Sequence, residues 1–181
     1  DEEVMRAMDI ARTIVSQELL LILPDPEPGD PGPWSLARDV VANMLVIQTS
    51  EANVSVGLDE EALRQFLDPI AMALYRKPAS SRFHFNEATL ELEPLVSSVD
   101  GRALDMDATI EYVNDVLQVG QHVVPLSLTI TPPAYPDTST AEALGIQERV
   151  AMGESYFSGS SSARDKNIRL GASQFDGLII A

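Results

Sequence analysis

The chain contains no cysteine, which removes disulfides, thiolate metal ligands and any thiol nucleophile from its chemistry. Basic residues are scarce: 12 Lys and Arg stand against 28 Asp and Glu, a formal charge of −16. Such a surface repels phosphate backbones and anionic lipid, which argues against nucleic-acid and membrane-surface binding. It also gives no long-range attraction to anionic wall polymers, so any glycan recognition has to come from a short-range groove. Histidine occurs twice and tryptophan once. A Ser-His-Asp arrangement would need His84 or His122, and neither sits near a strained Gly-x-Ser-x-Gly turn. Long apolar runs are missing too. The densest, Leu19 to Leu23, falls far short of the roughly 18 residues that cross a bilayer. No signal peptide is visible, and the chain opens inside what reads as a helix, so an export signal is expected upstream.

What is present suffices for a folded core, because 45% of the 181 residues are hydrophobic. Val4, Met8, Ala11 and Val15 recur at helical spacing, which predicts an amphipathic helix over about 2–17. Leu19 to Leu23, ended by Pro24, suits a short buried strand. Residues 25–33 follow with four prolines and two glycines, an exposed loop. The spacing of its three carboxylates matches no metal-binding loop, and no metal site or cofactor is expected. Ser35 is placed to cap a helix carrying Leu36, Val40 and Met44. Trp34, just before it, either anchors the loop to the core or offers a stacking platform to a sugar ring.

Leu45 to Gln48 and Val54 to Val56 read as strands around a polar turn at Ser50 to Asn53. Asp59 caps the next helix, where Leu63, Phe66, Leu67, Ile70 and Leu74 form the apolar face. Pro69 either kinks that helix or starts a second one capped by Asp68. Phe83 and Phe85 alternate opposite Leu90 and Leu92 as a hairpin, with His84 on the other face. Asp100-Gly101 marks a turn, and Asp105 caps a helix carrying Met106, Ile110, Val113 and Leu117. Val124, Leu126, Leu128 and Ile130 alternate as one strand, which Pro132-Pro133 ends. Leu58 to Leu63 and Leu104 to Thr109 share a strand-to-capped-helix layout, which capping physics alone produces. The order of elements predicts an α+β fold, a small mostly antiparallel sheet with helices packed on one side.

Three motifs within this order, Arg82-Phe83-His84-Phe85, Asp100-Gly101-Arg102-Ala103-Leu104-Asp105 and Thr131-Pro132-Pro133, resemble a known family. It is the peptidoglycan-binding domain that accompanies VanW domains and some L,D-transpeptidases, and the similarity covers most of residues 1–136. From about Ala143 the chain resembles the start of a VanW domain. Gly145-Ile146-Gln147-Glu148 leads an expected strand from Val150 to Phe157, followed by a serine loop. A helix capped by Ser162 then carries Arg164, Asn167, Ile168, Leu170 and Ala172, before an Asp176-Gly177 turn and the start of another strand. Residues 137–181 are thus expected to be a linker and the N-terminal fragment of a VanW-like domain.

The resemblance implies a cell-wall binding module that is not an enzyme. L,D-transpeptidases act through a Cys nucleophile, which this chain lacks. A carboxylate pair for glycan cleavage is a spatial arrangement, and nothing in the sequence selects one among the 28 acids. The expected partner is peptidoglycan or another envelope protein, bound outside the cell or in the envelope and anchored by a segment beyond this sequence. Trp34, Tyr135 and Tyr156 are the candidate ligand-stacking residues. Arg164 and Asn167 either contact a wall ligand or tie the serine loop to the sheet. The alternative reading is an extracellular scaffold or interaction domain that presents an apolar patch without binding glycan.

Overall fold

Asp59 and Asp105 both sit immediately before apolar-periodic runs, and both become helix caps. The Asp59 carboxylate accepts the Ala62 N–H at 2.8 Å, and the Asp105 carboxylate accepts that of Ala108 at 3.0 Å. The helices they start are α3 (Glu60–Leu74) and α4 (Met106–Leu117). Before them come α1 (Glu2–Ile14), β1 (Leu19–Ile22), β2 (Trp34–Leu36), α2 (Arg38–Asn43), β3 (Leu45–Thr49) and β4 (Val54–Leu58). Between α3 and α4 lie β5 (Arg82–Asn86), β6 (Glu91–Val96) and β7 (Gly101–Leu104). After α4 come β8 (Val123–Pro125), β9 (Leu128–Thr131) and α5 (Ser162–Phe175). This computed structural model describes residues 2–49, 54–153, 156, 159 and 161–180, and the expected turn at Ser50 to Asn53 lies outside them. The fold is α+β.

Contacts divide the chain into two units. The first comprises Asp1–Arg76 and Arg102–Ile130. Its three-stranded sheet has the order β2-β1-β8, with β2 antiparallel and β8 parallel to β1. Two further strand pairs are β3 with β4 and β7 with β9. Ile14, Leu19, Leu21, Leu63, Leu117 and Val124 are fully enclosed in its core.

Three sequence expectations change here. Ser35 pairs with Leu20 inside β2, so it caps nothing; α2 starts after Ala37, which provides no side-chain cap. Burial of Leu36 beside β1 outweighs the local capping preference. Of the two alternatives at Pro69, a second helix capped by Asp68 does not form: α3 runs through Pro69 unbroken, with Leu63, Leu67, Ile70 and Leu74 buried on both sides of it. The alternating run from Val124 to Ile130 is two strands rather than one. β8 ends at Pro125, although Leu126 N–H still donates to the Ile22 carbonyl at 2.9 Å, and the run then changes partner, so that β9 pairs with β7.

The second unit is Lys77–Gly101 with Thr131–Ala181. This partition by contacts differs from a family-based boundary at residue 136. The β5–β6 hairpin is flanked by the returning chain: Ser81 N–H donates to the Tyr135 carbonyl at 2.8 Å, and Phe83 N–H to that of Gly177 at 2.9 Å. Helix α5 is capped by Ser161 rather than Ser162, and none of its residues is buried. Residues 150–153 form no strand, nor do 178–180; Glu154, Ser155 and Phe157 of the expected strand lie outside the described residues.

Candidate functional site

The register of β3 on β4 decides which main-chain groups face outward. Asp59 N–H donates to the Met44 carbonyl at 2.7 Å, which makes the flanking Leu45–Leu58 pair one without mutual hydrogen bonds. Leu58 therefore turns its N–H and C=O away from β3. The side chain of Asn114 on α4 takes both, accepting from Leu58 N–H at 2.6 Å and donating to its carbonyl at 3.3 Å. A primary amide used this way imitates the next strand. Gly57 makes room for it, since a β-carbon there would stand 2.9 Å from Asn114 Oδ1.

Above this pair lies a groove of about 690 Å³, whose walls include Ile47, Val56, Glu60, Glu61, Asn114 and Gln118. A narrower cavity of about 240 Å³ opens between Val54–Val56, Gln118 and the α1 residues Glu3, Arg6, Ala7 and Ile10. The groove rim is acidic, and among the described residues its walls hold no aromatic ring. Glu61 accepts a hydrogen bond from Gln65 at 3.0 Å. Beside it Arg64 pairs with Asp107 at 2.5 Å, and that contact raises the guanidinium pKa.

Residues 25–33 are fastened by arginines. Arg102 donates two bonds to Asp30, at 2.8 and 2.6 Å, and a longer one of 3.4 Å to the Leu74 carbonyl. Arg76 does the same to Glu27, at 2.7 and 3.2 Å. Two of the three loop carboxylates thus face guanidinium groups. Arg102 holds the Asp30 carboxyl far below its ordinary range, chiefly by its hydrogen bonds, and Arg76 lowers Glu27 for the same reason. A depressed folded-state pKa gives stability that is present above the unfolded value and lost as pH falls through the folded one. With ordinary values of 3.8 and 4.5, the first unit is expected to keep these contributions at pH 5 and above. Circular dichroism on acidification should show loss of structure beginning below about pH 4. Relief of the repulsion among 28 acids acts the other way, so a midpoint well above pH 4 would contradict this account.

In the second unit the buried Ser81 hydroxyl makes a very short hydrogen bond to Asp137, which also accepts Ser98 N–H at 2.7 Å. These bonds, Ser81 first, hold the Asp137 carboxyl below its ordinary value. They border a cavity of about 540 Å³ lined by Ser80, Val99, Tyr135, Leu178 and Ile179 among others.

Of the five sequence-selected residues, none lines the β3–β4 groove. Trp34 is half-buried in β2 against the core and lies over Gly32, where a β-carbon would come within 2.8 Å of the indole. Tyr135 borders the cavity of the second unit, and its N–H donates to Ser80 Oγ at 3.2 Å. Tyr156 is 89% exposed. Arg164 and Asn167 are exposed near the start of α5, where the Arg164 N–H donates to the Ser161 cap at 3.4 Å. His84 is exposed. His122 is buried, with its ring nitrogens 3.0 Å from the carbonyl oxygens of Gly120 and Ile14.

Residues 39–124 match the family model described as "Putative peptidoglycan binding domain". The groove falls wholly inside that stretch, and residues 137–181 fall outside it. The match supports a peptidoglycan-binding module and a place in the cell envelope. Two solved structures are similar. One is the Ldtfm–avibactam carbamoyl enzyme, at 12% identity and TM-score 0.44, covering 75% of this chain and 50% of that one. The other is an Enterococcus faecium L,D-transpeptidase with a cysteine-to-serine substitution, at 11% identity and TM-score 0.42, covering 73% and 48%. The chain spans about half the length of both. No curated protein matches it. No helix of the described residues is long and apolar enough to cross a membrane.

Proposed function

We propose that this chain is a non-catalytic peptidoglycan-binding module of a VanW-like envelope protein, working outside the cell. The observation that carries the reading is the family match over residues 39–124, which encloses the β3–β4 groove. Its mixed apolar and amide walls suit short-range recognition of a polymer bearing both peptide and sugar. Absence of cysteine supports a binding role over transpeptidation, since that chemistry needs a thiolate. The tail from about Ala143 onward carries the VanW-like part of the reading.

Sedimentation with purified sacculi tests it. Retention is expected, and it should strengthen between about 20 mM and 300 mM salt, because screening weakens repulsion between a −16 chain and anionic polymers. Protein left wholly in the supernatant at both salt concentrations would sink the proposal and favour the scaffold role.

A further inference from the structure

We propose that the cavity of about 540 Å³ in the second unit is a binding site for a small amphipathic carboxylate with an apolar body. Val96, Val99, Tyr135, Leu178 and Ile179 reach it from separate stretches of chain. Val96, Val99 and Leu178 stay 52%, 38% and 45% exposed, yet they converge on this one concavity. Single apolar side chains scattered over a surface need no explanation, whereas several lining one cavity of this size mark a place for an apolar ligand. The residue after α5 that brings the last two walls in is Gly177. Its carbonyl accepts the Phe83 N–H, its φ is 69°, and a β-carbon there would stand 2.9 Å from the Phe83 main chain. Glycine thus lets the strand-like end lie against β5, so that Leu178 and Ile179 close the site.

Charge selects the head group. Two of the polar wall residues are already engaged: the Ser81 hydroxyl serves Asp137, and Ser80 Oγ accepts the Tyr135 N–H. Arg82 is the one charged residue among the described walls. Its Nη1 donates to the Ser173 carbonyl at 2.6 Å, and its other guanidinium N–H groups have no partner among the described residues. In a chain of formal charge −16, a cavity whose single charge is positive selects an anion. One guanidinium balances one negative charge and meets a carboxylate with parallel N–H groups, which favours a carboxylate over a dianionic phosphate. The cavity shares no wall residue with the β3–β4 groove, so this inference stands apart from peptidoglycan binding.

The test is an amide NMR titration of the whole chain with octanoate, and with octan-1-ol and octylammonium as comparisons of equal apolar length. Octanoate is expected to shift the Ser81, Val99 and Leu178 amides and to bind roughly tenfold more tightly than the alcohol, with the ammonium weakest. Arg82→Gln should bring octanoate to within about twofold of octanol while octanol binding persists. A merely structural Arg82, holding α5 through Ser173, would instead lose both ligands together. Gly177→Val should displace Leu178 and Ile179 and abolish binding of both ligands, with the β5–β6 amide shifts retained; should that variant unfold the hairpin, the Arg82 comparison decides. Equal binding of octanoate and octanol to the parent, no shifts at millimolar octanoate, shifts confined to other residues, or equal loss of both ligands in Arg82→Gln would overturn the proposal.

Discussion

Arg102→Met lowers the thermal midpoint of the first unit by roughly 10 °C. Arg102 is 7% exposed, and its side chain binds both carboxylate oxygens of Asp30 together with the Leu74 carbonyl. Methionine matches the length of the aliphatic stem and supplies none of those donors. Asp30, whose side chain is 11% exposed, then keeps, among the described residues, the Glu27 N–H at 2.9 Å. An enclosed carboxylate without its cation is what makes one-sided removal of such a pair so damaging. The Arg76–Glu27 pair is the internal control, with side chains 31% and 57% exposed. Water already screens it, so Glu27→Gln should move the midpoint by no more than about 3 °C. Calorimetry on both variants checks the pair of expectations. An Arg102→Met midpoint within 2 °C of the parent would mean that the proline loop is held by something other than this contact.

Local chemistry was legible and spatial chemistry was not. Asp59 and Asp105 were readable as caps because the partner N–H lies three residues away, and Phe83 and Phe85 gave the hairpin through alternation alone. Ser35 had equal local credentials as a cap, but pairing between Leu20 and Ser35 decided its state, and no local pattern encodes that. The alternating run from Val124 to Ile130 changes partner from β1 to β7, although Leu126 N–H still bonds the Ile22 carbonyl past Pro125, and a change of partner leaves no mark on local alternation. The candidate groove was illegible for the same reason. Asn114 meets Leu58 across 56 positions of sequence, and Arg102 meets Asp30 across 72. Arg102 was singled out within the Asp-Gly-Arg motif, yet only the fold shows that it is buried and fastens a loop. Three ligand candidates rest on aromatic stacking and two, Arg164 and Asn167, on a shared helix face, whereas this groove is built from amides, carboxylates and strand edge, residue types too common to stand out.

Leu63→Ala should cost about 3 kcal/mol, with the urea midpoint falling and the m-value unchanged. Leu63 is fully buried on α3, one turn after the Asp59 cap, in the core that also holds Val113 and Leu117 of α4. Truncation removes several methyl and methylene contacts where surrounding helices and strands leave little freedom to collapse. Leu63→Met retains most of the volume and should cost less than about 1.5 kcal/mol. The difference between these variants separates cavity formation from simple loss of leucine. A functional consequence follows from the geometry: α3 opens at Glu60 and Glu61 and α4 carries Asn114, so their shared core fixes the rim against the β4 edge. Leu63→Ala protein that remains folded should therefore show faster exchange at the Leu58 amide, as the α4 side chain loses its fixed approach. Unchanged Leu58 protection alongside the full stability loss would show that strand and helix are held together by contacts other than this core.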